Sequence, residues 1–163
     1  PVRSADGTVH SAVASLREFS ERKQLEMDMH DSEQVLRNVI DTMGDVLLIC
    51  DLKGNVLEIN KSFLRVLGYS RAETIGHEFP YPWVLDEEMG RFVLWIAELR
   101  ERNWLHDFDM TWRSKNGRMI PMSLSTTLLR NSMGEPIATL NIARDITERQ
   151  TSLCTLLFMT PAP

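Results

Sequence analysis

The hydrophobic pattern of this chain changes period at Gly44. Before it, residues 21–43 contain neither glycine nor proline. There Leu25, Met29, Ser32, Leu36, Val39 and Met43 recur at spacings of 4-3-4-3-4. Such a repeat predicts a helix with a heptad seam, closed by Gly44 as a C-cap. The seam either pairs with a second helix or lies on its own domain. Both hold together if the first half pairs and the second half packs.

After Gly44 the period shortens. Val46-Leu47-Leu48-Ile49-Cys50 is a short apolar strand, and Asp51-Leu52-Lys53-Gly54 turns it into a partner, Val56-Leu57-Glu58-Ile59. Asn60 caps a short helix through Leu67, ended by Gly68. Ser70-Arg71-Ala72-Glu73 has the spacing of a capping box opening another short helix. Pro80-Tyr81-Pro82-Trp83 reads as a rigid loop. Asp86-Glu87-Glu88 places acids at the positive end of a longer helix that runs to about Arg102. Phe108, Met110 and Trp112 alternate with polar residues, a half-buried strand, and Asn116-Gly117 is a strong hairpin signal. Strands follow over residues 118–129 and 136–144. The order β-β-α-α-α-β-β-β predicts an α+β domain with one antiparallel sheet.

Composition narrows the picture. The chain has 163 residues, 43% of them hydrophobic and 25% charged, the profile of a globular domain with its own core. No apolar run approaches the ~20 residues of a membrane span, and no signal-peptide pattern opens the chain. The net charge is −5, with no basic stripe, which argues against nucleic-acid binding. Cys50 and Cys154 stand alone, so free thiols in a reducing, cytoplasmic compartment are expected, with no metal cluster.

Residues 7–23 and 134–150 are similar at a constant offset of 127: Arg3/Arg130, Gly7/Gly134, Arg17/Arg144, Glu21/Glu148 and Arg22/Arg149 are identical pairs. The repeat predicts a tandem unit. Residues 1–20 would then be the last strand and exit of an upstream unit, residues 21–43 a connecting helix, residues 44–149 a complete unit and residues 150–163 an extension. On this view the chain is an excerpt of a longer modular protein. The extension, with Leu153, Leu156, Leu157, Phe158 and Met159, is either a second packing helix or an exposed stub.

Six motifs at this order and spacing resemble a PAS domain: Asp51-x-x-Gly54, Ile59-Asn60-x-x-Phe63, Leu67-Gly68-Tyr69-Ser70, Glu73-x-Ile75-Gly76, Lys115-Asn116-Gly117 and Arg144-Asp145-Ile146-Thr147-Glu148-Arg149. They span roughly residues 45–150. The resemblance implies a five-stranded antiparallel sheet of order 2-1-5-4-3, with short helices enclosing a small cavity on one face and a flanking N-terminal helix. Leu47 and Ile49 should then share the other face with Leu140 and Ile142. That patch needs a cover, from the helix ending at Met43 in this subunit or in a partner.

The cavity is expected to draw on Leu48, Cys50, Phe63, Leu67, Phe79, Phe92, Leu99, Phe108, Met110, Trp112, Met122, Leu124 and Asn141. Asn141 is an amide on an otherwise apolar or small strand. It must bond a ligand, an ordered water or a neighbouring backbone group. Asp145 and Thr147 would form the signal exit. Leu25, Met29, Leu36, Val39 and Met43 would form a coiled-coil or dimer seam.

The resemblance also bears on cofactors. The flavin photosensors of the family need a cysteine where this chain has Phe79, after Gly76-His77-Glu78. The haem branch takes a histidine from the long helix, and Asp86–Arg102 contains none. Neither group is expected, whereas non-covalent FAD, which leaves no sharp local motif, stays open. No particular cofactor is required, and a small apolar or amphipathic ligand is compatible with the cavity. Walker, Gly-x-Gly-x-x-Gly, His-Glu-x-x-His and Gly-x-Ser-x-Gly motifs are absent. His30 precedes the domain, unlike a kinase phospho-acceptor, and Glu87-Glu88 diverge on their helix.

The implied function is a non-catalytic sensory or regulatory PAS module, relaying a signal through its flanking helices to an effector such as a sensor kinase or cyclic-dinucleotide enzyme. A homodimer with adjacent PAS and effector domains is implied too. The alternative is a ligand-free dimerisation module whose large apolar residues fill the cavity.

Overall fold

The computed structural model describes residues 8–149. The chain divides into two units at Ile40/Asp41. The first is nearly all helix α1 (Thr8–Thr42). From Glu18 to Val39 its residues are exposed. The expected upstream strand does not form among residues 8–20, which are the first turns of α1. A lone strand leaves its backbone N–H and C=O groups unpaired, whereas a helix pairs them within the segment. α1 stops at Thr42, so Met43 lies beyond the seam, and Gly44 lacks the positive φ of a glycine cap. The extension 150–163 lies outside the described residues.

The described residues of the second unit include one sheet and the helices packed with it: β1 (Val46–Asp51), β2 (Val56–Ile59), α2 (Lys61–Leu67), α3 (Arg71–Thr74), α4 (Asp86–Arg102), β3 (Trp104–Arg113), β4 (Met119–Arg130) and β5 (Pro136–Asp145). The sheet order is β2-β1-β5-β4-β3, and every neighbour is antiparallel. The first and last strands therefore sit together near the centre.

Register fixes which side chains share a face. Leu48 opposes Asn141 and Cys50 opposes Thr139 on the side facing α4. Leu47 opposes Ile142 and Ile49 opposes Leu140 on the other side. Phe108, Met110 and Trp112 oppose Leu124, Met122 and Ile120 across β3 and β4.

The local caps form as the sequence dictates. The Asn60 side chain accepts from Phe63 N, and Gly68 ends α2 at φ 77. Ser70 and Glu73 form both halves of a capping box. The core between sheet and helices centres on fully buried Phe63, Leu67, Trp83, Ile120, Met122 and Leu124. Each such large apolar side chain contributes about 1.5–3 kcal/mol by leaving water.

Candidate functional site: an aromatic-walled cavity on the central strands

A cavity of about 220 Å³ lies between the sheet and α4. Leu48 and Cys50 of β1, Thr139 and Asn141 of β5, Leu124 of β4 and Trp112 of β3 form its floor. Phe92, Val93 and Ile96 of α4 face them. One wall is Phe79, Tyr81, Trp83 and Val84 from the segment before α4, and Asp51–Gly54 of the β1–β2 turn completes the rim.

The wall is held by ring packing. Tyr81 and Trp83 stack at 4.9 Å with 3° between planes, and Phe63 meets Trp83 edge-on at 5.0 Å. Phe79 stacks on Phe92 at 5.8 Å and meets Tyr81 edge-on at 5.5 Å. Such pairs add about 0.5–1.5 kcal/mol each beyond area burial.

The Tyr81 hydroxyl donates to the Gly54 carbonyl at 2.7 Å and contacts Cys50 Sγ at 3.4 Å. Gly54 adopts φ +94, and a Cβ there would lie 3.4 Å from the Tyr81 oxygen. The turn needs glycine for its backbone angle, and this angle brings the rim against the tyrosine.

Polar groups are few and mostly engaged. Asn141 Oδ1 accepts from Thr126 Oγ1 at 2.8 Å, while its Nδ2 donates to the Leu48 carbonyl at 3.2 Å and to Thr139 Oγ1 at 3.3 Å. Of the partners open to this amide, the structure shows a neighbouring backbone group and two hydroxyls. Asp51 accepts from Asn55 Nδ2 at 2.7 Å and from the backbone N–H groups of Lys53 and Asn55 at 2.8 Å. Those bonds, Asn55's first, hold its carboxyl below the ordinary value. Burial pushes the Cys50 thiol up to about 11 against the pull of the Tyr81 hydrogen bond. Burial also raises Tyr81 well above the ordinary phenol value. The interior is therefore neutral near pH 7.

Of the residues expected around the cavity, Leu48, Cys50, Phe79, Phe92, Trp112, Leu124 and Asn141 line it. Phe63, Leu67, Leu99, Met110 and Met122 pack in the core and are absent from the lining, and Phe108 packs against that core. Tyr81, Trp83, Val84 and Thr139 line it although the sequence did not single them out as cavity residues. Their signal was the Tyr-Pro-Trp run of aromatics in a loop, and for Thr139 its two-residue spacing from Asn141. At the exit, Asp145 Oδ1 accepts from Thr147 N at 2.9 Å, so Asp145 caps the turn that begins there.

A family model of the PAS fold matches residues 40–151. The chain belongs to the PAS fold family. Among curated relatives, the PAS-bearing chain is 26% identical over 157 residues to "Sensor protein FixL" of Bradyrhizobium diazoefficiens, covering 91% of this chain and 30% of that protein. It is 25% identical over 138 residues to "Signal transduction histidine-protein kinase AtoS" of Escherichia coli, covering 80% and 22%. The chain thus spans less than a third of either relative. The crystal structure of a PAS domain from Colwellia psychrerythraea is similar in fold, with a TM-score of 0.65 at 19% identity over 71% of this chain and 98% of that one.

The PAS cavity is small. At about 220 Å³ it falls below the roughly 300–1,000 Å³ that drug-sized ligands occupy. Among the described residues no histidine lines it, and Phe79 is part of its lining. Among the described residues no group of three or more His, Cys, Asp or Glu is placed to hold a metal ion, and no helix is long and apolar enough to cross a membrane.

Proposed function

We propose that this PAS domain is the sensory or regulatory module of a cytoplasmic, multidomain signal-transduction protein. A small apolar or amphipathic molecule in the cavity would favour one packing of the central strands. The flanking helices would carry that preference to an effector outside this chain. The similarity to parts of two sensor proteins supports a kinase as the effector class.

One observation carries the reading: Asn141 lines the cavity and ties β5 to both neighbouring strands, through Leu48 O on β1 and Thr126 on β4. β1 follows the connecting helix, and β5 ends at the Asp145 cap. Arg144 binds Asp45 by two nitrogens at 2.9–3.2 Å, which joins the entry of the sheet to its exit. A disturbance at Asn141 would be felt first by the two strands it bonds, β1 and β4. A ligand moves this equilibrium only by its difference in affinity for the two packings.

Native mass spectrometry of freshly purified protein tests the reading. One ligand equivalent per subunit is expected. A bare polypeptide mass overturns ligand sensing in favour of the alternative, a ligand-free dimerisation module.

A further inference from the structure

We infer that the cavity selects a compact, single-ring-sized molecule bearing a hydrogen-bond acceptor, which the indole N–H groups of Trp83 and Trp112 recognise. This deepens the ligand-sensing reading and rests on it.

Trp83 and Trp112 are 1% and 2% exposed, both line the cavity, and neither Nε1 has a hydrogen-bond partner. A buried N–H without an acceptor is costly, so two among the residues lining one cavity call for a partner. The N–H and O–H donors of buried Tyr81 and half-buried Thr139 and Asn141 are engaged. Tyr81 donates to Gly54 O, Asn141 to Leu48 O and Thr139 Oγ1, and Thr139 to Cys50 O. The unused hydrogen-bonding capacity of the lining is thus weighted toward donors, and it complements a carbonyl, ester or ether oxygen.

Size and polarity complete the description. An apolar cavity of about 150 Å³ accepts benzene and stays dry. The 220 Å³ here has room for one ring with one or two small substituents. Phe79, Phe92 and Leu124 supply apolar surface for the ring. A lone water is a poor substitute, because it needs two to four polar partners in a compartment that is mainly apolar.

Acetophenone and α-methylstyrene have nearly the same shape, and only the first carries an acceptor. Binding of each to the 15N-labelled chain would be followed through the Trp83 and Trp112 indole resonances. These are identified with Trp83→Phe and Trp112→Phe. Acetophenone is expected to bind about tenfold more tightly, the worth of roughly one hydrogen bond, and to move at least one of the two indole signals downfield. The preference should shrink toward unity in the variant lacking the responding indole. If a variant fails to fold, the two affinities and the indole shifts of the unmodified chain still decide. Equal affinities with unmoved indole signals overturn acceptor selection while leaving the cavity a ligand site. Failure of both probes to bind at millimolar concentration overturns the inference together with the single-ring-sized cavity reading.

Discussion

Asn60 joins two elements through one amide. Its Oδ1 accepts from Phe63 N at the start of α2 and from Leu47 N in β1, each at 3.0 Å, and its Nδ2 donates to the Asp45 carbonyl at 2.9 Å. The residue is 1% exposed, so water cannot replace these bonds. Asn60→Ala removes a helix cap and strands the buried Leu47 N–H and the half-buried Asp45 carbonyl at the entry of β1. A loss of about 3 kcal/mol is expected from a cap worth roughly 1 and the orphaned pair. Urea unfolding of the two proteins measures it, and a loss below about 1 kcal/mol would show that α2 and β1 are held without this amide. The residue was legible beforehand as a cap, because Asn three positions before Phe63 fits a helix start. Its grip on β1 was not, since a bond across thirteen residues has no local signature.

At the scale of elements, α3 is tied to the β3–β4 hairpin by charge. Glu73 closes the capping box on Ser70 N at 3.0 Å and takes an ion pair from Lys115 Nζ at 2.5 Å. The Lys115 hydrogen bond first, then Ser70, lowers the Glu73 carboxyl from 4.5 to about 2. A depressed carboxylate stabilises the fold above its unfolded pKa, and that contribution fades as pH falls from about 4.5 toward 2. Glu73→Gln should therefore lower the thermal midpoint at neutral pH and lose less than the parent across that acid window. Melting curves from about pH 7 to pH 2 check this, and parallel curves would sink it. Short-range signals of this kind, caps and hairpin turns, made the element order readable from Gly44 to Asp145. Depth was less readable. Period-2 alternation put Met110 and Met122 on the correct face, but alternation specifies a face and not a distance from its centre. The wall from Tyr81 to Val84 escaped because a loop has no period, and its burial arises from packing against Phe63 and Phe92.

For the whole molecule, the open question is what meets α1. Leu25, Met29, Leu36 and Val39 are 65%, 73%, 61% and 56% exposed in the single chain. Apolar surface left in water forgoes about 25 cal/mol for each Å², and heptad spacing fits a second helix of the same kind. The occupant proposed is α1 of a second copy, because the identical seam is self-complementary about a twofold axis. Met43 lies outside the helix, so the seam rests on the four residues from Leu25 to Val39. Leu36→Lys places a charge in its middle, where burial would leave it unpaired. Sedimentation equilibrium should show a dimer for the parent and a monomer for the variant, with the circular dichroism of the PAS sheet unchanged. A variant that stays dimeric would remove α1 as the interface. A parent that is monomeric would remove the homodimer, and with it the route by which paired helices carry a cavity signal onward.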